Sequence, residues 1–351
     1  MIEYILQNTN LTIHYITSDP QDQIFELAKT NPAIRPYYIG EKRLITLMMK
    51  LDADIVAMTM PDIETYHIKR SYVRKDIEYV YIPHGVGSTN LLMTKTSTDH
   101  YDTIFCTNEI LKQEELGRER VYGVPHRKLL EIGYPLLDEM RRDYRNQKHV
   151  VHERKKILIA PSWQEDNIID SCLEEMLDCL KGRGYDITVR PHPQEVRHKK
   201  QYIETLKEKY AKDGIEVQTD FSSNSTVFEA DLLITDWSDI STEFSFTTDK
   251  PVLFINTPMK IMNPDYEQID VTPLNILLRT QIGKSLELNE LDQVPATVDE
   301  LLSRTDYYQE EIEKLVQEHV YNLGKSARIA GTYLIRQIQK KISEKGEQNN
   351  G

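Results

Sequence analysis

The chain has 351 residues, 39% of them apolar and 28% charged, with a formal charge of −13. That length exceeds what one hydrophobic core usually serves, so two domains are expected, and the composition excludes a disordered or fibrous chain. The acidic balance excludes a general nucleic-acid coat, which needs clustered Lys and Arg, and leaves open a small anionic substrate held by local positive groups.

In chain order, "MIEYILQNTN" reads as the end of a helix leading into a strand, "LTIHYIT". A domain of this kind normally opens with a strand and a turn, so either the first strand is dispensed with or an N-terminal portion precedes this sequence. Short runs rich in Ile, Val and Tyr follow: "IRPYYI", "DIVAMTM", "EYVYIP", "DTIFCT" and "LLEIGYP", separated by helical-looking segments. That alternation predicts a mostly parallel sheet covered on both faces. The charged stretch "DEMRRDYRNQKHVVHERKK", residues 138–156, reads as a linker. The pattern then restarts with "KILIAPSW", "YDITVRPHP", "IEVQTD", "DLLITDWSD" and "PVLFINTP". Two similar α/β halves are implied, residues 1–150 and 151–325, followed by a helix and tail, 326–351. Ala327, Ala330, Leu334, Ile338 and Ile342 share one face of that helix, which suits a closing element over the domain junction. Only the last residues, "SEKGEQNNG", are expected to lack structure. Cys106, Cys172 and Cys179 are too few and scattered for a disulfide framework and lack metal-ligand spacing. Neither a signal peptide nor a run of about 18 apolar residues is recognisable in this sequence, so a cytoplasmic address is expected, with peripheral attachment to the inner face of the membrane left open.

Chemistry concentrates just past strand ends, where open parallel sheets bind ligands. In "IPHGVGSTN" His84 follows a buried strand; Gly85 and Gly87 permit unusual backbone angles and close approach, while Ser88, Thr89 and Asn90 suit a helix cap. An imidazole there is a candidate general base, or holds a turn. In "VRPHPQEV" the prolines around His192 stiffen its backbone beside Arg190, which suits donation to a phosphate oxygen, or a purely structural turn. In "DLLITDWSDISTEF" a strand ends at Thr235 and Asp236 and a helix begins near Ser238, so free N–H groups face a ligand and favour a pyrophosphate. Ser238, Ser241 and Thr242 add hydroxyls, and Glu243 offers a carboxylate to ribose; alternatively Ser238 or Asp239 simply caps the helix. In "APSW" Ser162 and Trp163 follow another strand and either line the donor site or pack in a loop.

Taken together, His84-Gly85, "APSW", "RPHP" and "ITDWSDISTEF" followed by "KPVLFINTP" resemble the CDP-glycerol glycerophosphotransferase family of teichoic acid and capsule synthesis, over most of residues 80–330. The resemblance implies two Rossmann-like domains with parallel sheets facing across a cleft, the GT-B architecture. It implies His84 as the base, and His192 with Thr235, Asp236 and Ser238 on the donor phosphates. The reaction would be attack of an acceptor hydroxyl on CDP-glycerol with release of CMP. No cofactor is obligatory in this reading, though a diphosphate can bring Mg²⁺. The expected partners are a CDP-activated donor and a lipid-linked or polymeric hydroxyl acceptor, with no nucleic acid. Where the family usually has Tyr-Ser-Ser and Phe-Asp, this chain has Trp237-Ser238-Asp239 and Thr242-Glu243. Two alternatives use the same fold: a glycosyltransferase with a CMP- or UDP-sugar donor, and an inactive scaffold in a polymer-assembly complex.

Overall fold

A computed structural model describes residues 1–148, 152–221 and 223–349. Strands β1 (Ile13–Thr17) and β2 (Ile34–Tyr38) pair in parallel as a small sheet of their own. Strands β3 (Ile55–Met58), β4 (Glu78–Tyr81), β5 (Thr103–Cys106) and β6 (Lys128–Glu131) form a second parallel sheet in sequence order. The separation follows burial: every residue of β4 and β5 is buried, whereas β1 and β2 are partly exposed along their length. A sheet covered on both faces needs continuous apolar runs, and only the second has them.

The other half holds β7 (Lys156–Ile159), β8 (Asp186–Val189), β9 (Glu216–Val217), β10 (Leu232–Thr235), β11 (Val252–Asn256) and β12 (Gly283–Glu287). They are parallel, in the order β12-β11-β10-β7-β8-β9. Strand order reverses between β7 and β10, so a crevice opens at their carboxyl ends. The two larger sheets and their helices make two lobes. β12 was not expected from the sequence, since "GKSLE" is neither an apolar run nor a clean alternation.

Three expectations need correction. Residues 138–146 are not a linker but part of the helix Pro135–Asn146, whose Leu137, Met140 and Arg141 are buried. This helix packs on Ile240–Thr248 of the second lobe, and Arg141 donates to the Phe246 carbonyl while pairing with Asp249 at 3.0 Å and Glu313 at 2.5 Å. Residues 149–151 of that stretch lie outside the described residues. The helix Ser326–Asn349 lies over the first lobe rather than over the junction: Ala330 and Leu334 pack with Ile5, Val80, Phe105 and Ile132. Ile342 is left 55% exposed. The expected loss of structure at 343–351 does not hold for 343–349, which continue the helix, with Lys345 paired to Asp54 at 2.6 Å; residues 350 and 351 lie outside the described residues.

Candidate active site

The first lobe contributes the loop after β4. From Pro83 to Leu91 every residue is buried except His84, which is exposed with Nδ1 3.4 Å from the Tyr81 hydroxyl. Ser88 caps the helix Thr89–Leu92 by accepting from Leu91 N at 2.9 Å. Behind it Glu114, from the helix Glu109–Tyr122, accepts from Ser88 Oγ at 2.5 Å, Thr89 N at 3.0 Å and Asn90 N at 3.2 Å. Burial pushes the Glu114 carboxyl up to about 7. Neither Gly85 nor Gly87 has a positive φ; what both supply is space. A Cβ on Gly87 would fall 2.2 Å from Asp239 Oδ1 and 2.7 Å from Asn275 Nδ2, so the loop receives side chains of the second lobe.

The second lobe contributes the turns at the strand-order reversal. Asp236, wholly buried, accepts from Ser162 N at 2.7 Å and Trp237 N at 2.8 Å through Oδ1, and from Ile168 N at 3.1 Å through Oδ2. Thr235 Oγ1 donates to the Ala160 carbonyl at 2.6 Å. These two residues therefore tie the β7 and β10 turns together, and neither lines the cleft. Ser241 donates to Ser238 O at 2.9 Å, and Thr242 is buried; both support the start of the helix Ile240–Thr248 from behind. The N–H groups of Ser238 and Asp239 have no acceptor among the described residues, leaving donors free at that helix start. Glu243 accepts from the Tyr134 hydroxyl at 3.3 Å, and burial followed by the nearby Asp239 pushes its carboxyl up to about 7.

His192 precedes the helix Pro193–His198 and accepts at Nδ1 from Gln194 N at 3.2 Å. Its neutral ring therefore carries the proton on Nε2 and is a donor there. Burial first, then Lys260, lowers its pKa, which favours that neutral form. Trp163 stacks on His192 at 6.2 Å between centroids and on His198 at 5.5 Å, so both imidazoles pack against the indole. Arg190 is turned aside: it donates to Thr226 Oγ1 at 3.1 Å and lies over the Phe221 ring, away from the cleft lining.

These turns enclose a cleft of about 320 Å³ into which His84 and Gly85 face from one lobe and Ser162, His192, Ser238 and Glu243 from the other. The two histidines thus share one opening. Ser162 Oγ is buried with no hydrogen-bond partner, as a hydroxyl reserved for a ligand would be. Three contributors were not legible in the sequence. Lys260 lines the cleft from the turn after β11, two residues past "NTP"; Asn275 and Glu114 hold the His84 loop in place. None of the three sits in a recognisable pattern.

The profile of the family described as CDP-glycerol:poly(glycerophosphate) glycerophosphotransferase matches residues 7–269. The chain belongs to that family. Among curated relatives of this glycerophosphotransferase-family chain, the teichoic acid glycerol-phosphate primase of Bacillus subtilis strain 168 is 25% identical over 267 residues, 68% of this chain and 66% of that protein. Among solved structures, the wall teichoic acid polymerase TagF superposes with a TM-score of 0.59 at 14% identity, covering 97% of this chain and 86% of that one. A glycosyltransferase from Rickettsia africae ESF-5 gives 0.53 at 13% identity, over 94% and 91%. These likenesses show the fold, a two-lobed GT-B arrangement. Against the usual glycerophosphotransferase-family pattern, Asp239 is a departure, and the structure gives it a place: Oδ1 accepts from Asn275 Nδ2 at 2.5 Å above the two loop glycines.

Proposed function

We propose that this protein transfers glycerol phosphate, or a related polyol phosphate, from a CDP-activated donor to a hydroxyl of a cell-wall or capsule polymer precursor. The observation that carries the reading is the shared cleft: an exposed imidazole on the first lobe opposite a helix start with free N–H groups on the second. A diphosphate at that helix start meets the donors of Ser238 and Asp239, the Nε2–H of His192 and the unpartnered Ser162 hydroxyl. Glu243 takes the ribose hydroxyls. The acceptor oxygen attacks the phosphorus next to glycerol, its proton passes to His84, and the bond to the CMP phosphate breaks with the electron pair leaving on CMP. The charge that builds on the leaving phosphate is met by the same donors. Any Mg²⁺ taking part arrives with the diphosphate; the described residues hold no group of three or more His, Cys, Asp or Glu placed for a metal.

The acceptor belongs to the same proposal. A primase among the relatives favours a lipid-linked starter, met at the inner face of the membrane by peripheral contact. No helix among the described residues is long and apolar enough to cross a membrane.

The test is a donor screen with CDP-glycerol, CMP-sugars and UDP-sugars. CMP release from CDP-glycerol alone is expected; release from a sugar nucleotide instead would make the protein a glycosyltransferase. His84→Ala should abolish transfer while calorimetric binding of CDP-glycerol stays within about threefold. Turnover at the wild-type rate in that variant would remove His84 from the mechanism.

A further inference from the structure

Among the described residues, Lys260 is the one Lys or Arg lining the cleft. Its neighbours there include His192, Trp237, Ser238 and Asp239. The nearby guanidinium of Arg279 is already committed: it donates to the Asp236 carbonyl and to Asn256 Oδ1, both at 2.6 Å, and stacks 3.9 Å from the Trp237 centroid. Arg190 is engaged with Thr226. Lys260 differs from both, making no hydrogen bond or ion pair with any described residue. A half-buried ammonium without a partner costs free energy unless a ligand supplies the opposite charge. Asp239 and Asp236 act on it only through space, and they partly offset the burial that lowers its pKa.

Resting on the donor reading above, we infer that Lys260 is the cation that binds the donor's diphosphate. A diphosphate carries more negative charge than one helix start balances, since the helix dipole amounts to about half an elementary charge. The ammonium supplies the remainder from the turn after β11, on the same side of the cleft as the free N–H groups of Ser238 and Asp239. Asp239 then has a place beside phosphate: its Oδ1 is held by Asn275, facing the glycine loop; burial raises its pKa against the pull of Lys260, and Asp239 in turn partly offsets the burial that lowers the pKa of Lys260.

The experiment titrates the full-length wild type, Lys260→Met and Lys260→Arg with CDP, CMP and cytidine in a calorimeter. Lys260→Met removes the charge at similar length and breaks no contact, so without ligand its melting temperature should be no lower than wild type. CDP affinity should fall about tenfold or more in Lys260→Met, CMP affinity should fall less, and cytidine affinity should not change. Lys260→Arg should recover most of the CDP affinity. CDP bound equally well by wild type and Lys260→Met overturns the assignment while leaving the donor reading intact. Equal losses for cytidine and CDP also overturn it, because the residue then acts on the base or on the fold. A wild type that binds no nucleoside diphosphate overturns the donor reading, and the assignment with it.

Discussion

At Gly87 a methyl group has no room. An added Cβ would lie 2.2 Å from Asp239 Oδ1 and within 2.8 Å of both polar atoms of the Asn275 amide. Those two side chains are hydrogen-bonded to each other at 2.5 Å, and Asn275 Oδ1 also accepts from Ser88 N at 2.8 Å, so neither can swing away freely. Gly87→Ala should therefore destabilise the protein by about 1–3 kcal/mol, the usual range for overpacking. Thermal melting would measure it, and the double variant Gly87→Ala with Asp239→Ser should recover part of the loss by removing the tightest contact. A Gly87→Ala protein that melts like wild type would mean the loop moves aside without cost.

The helix Glu109–Tyr122 reaches the site through one carboxyl group. Glu114 accepts from Ser88, Thr89 and Asn90 in the His84 loop, wholly buried, and burial pushes its pKa up to about 7. A carboxyl raised on folding binds its proton more tightly in the native state. Its contribution to stability is complete below about pH 4.5 and is lost as pH rises through about 7, a change of about 3 kcal/mol. Denaturant titrations from pH 5 to 8 should show that decline in the wild type and a flatter profile in Glu114→Gln, whose amide does not titrate. Equal slopes would place the titration elsewhere. The expected strands after which His84, Ser162, His192 and Ser238 stand were legible because each is a short apolar run ending at a polar turn, and the fold puts such turns on one side of a parallel sheet. β12 was not, because "GKSLE" carries no apolar run; Gly283 is there because a Cβ would come 1.7 Å from the Val252 carbonyl on the adjoining strand. The helix Pro135–Asn146 passed for a linker because the partners of Arg141, Phe246 O, Asp249 and Glu313, lie more than a hundred positions away. Glu114 and Lys260 were unreadable for the same reason: their roles are set by what the chain later brings beside them.

Across the whole molecule, the loop bearing His84 also carries contacts that join the lobes. Asn90 Nδ2 donates to Tyr266 O at 2.9 Å and Asn90 Oδ1 accepts from Asn263 Nδ2 at 3.0 Å; Met262 N donates to Leu91 O at 2.9 Å; Lys95 pairs with Asp265 at 2.7 Å. Asn275 completes the set by bridging Ser88 N to Asp239. The base loop is thus referenced to the donor lobe by direct bonds, and a displacement of one lobe moves His84 relative to the diphosphate. Small misplacements of a reacting group lower the rate far more than they lower affinity. Asn275→Ala leaves Ser88 N and Asp239 Oδ1 without their partner, at a cost of about 1–3 kcal/mol for each group that stays buried. The donor groups Ser162, His192, Ser238 and Glu243 belong to the second lobe and keep their own supports in this variant, and Asp239 loses the hydrogen bond to its carboxylate but not its free N–H. CDP-glycerol affinity by calorimetry should therefore remain within about threefold of wild type, while CMP release at saturating donor falls about tenfold or more. A parallel loss of affinity and rate would show instead that Asn275 serves the donor pocket itself, and an unchanged rate would show that the lobes are set by the remaining contacts, those of Asn90, Leu91, Lys95 and Arg141 among them.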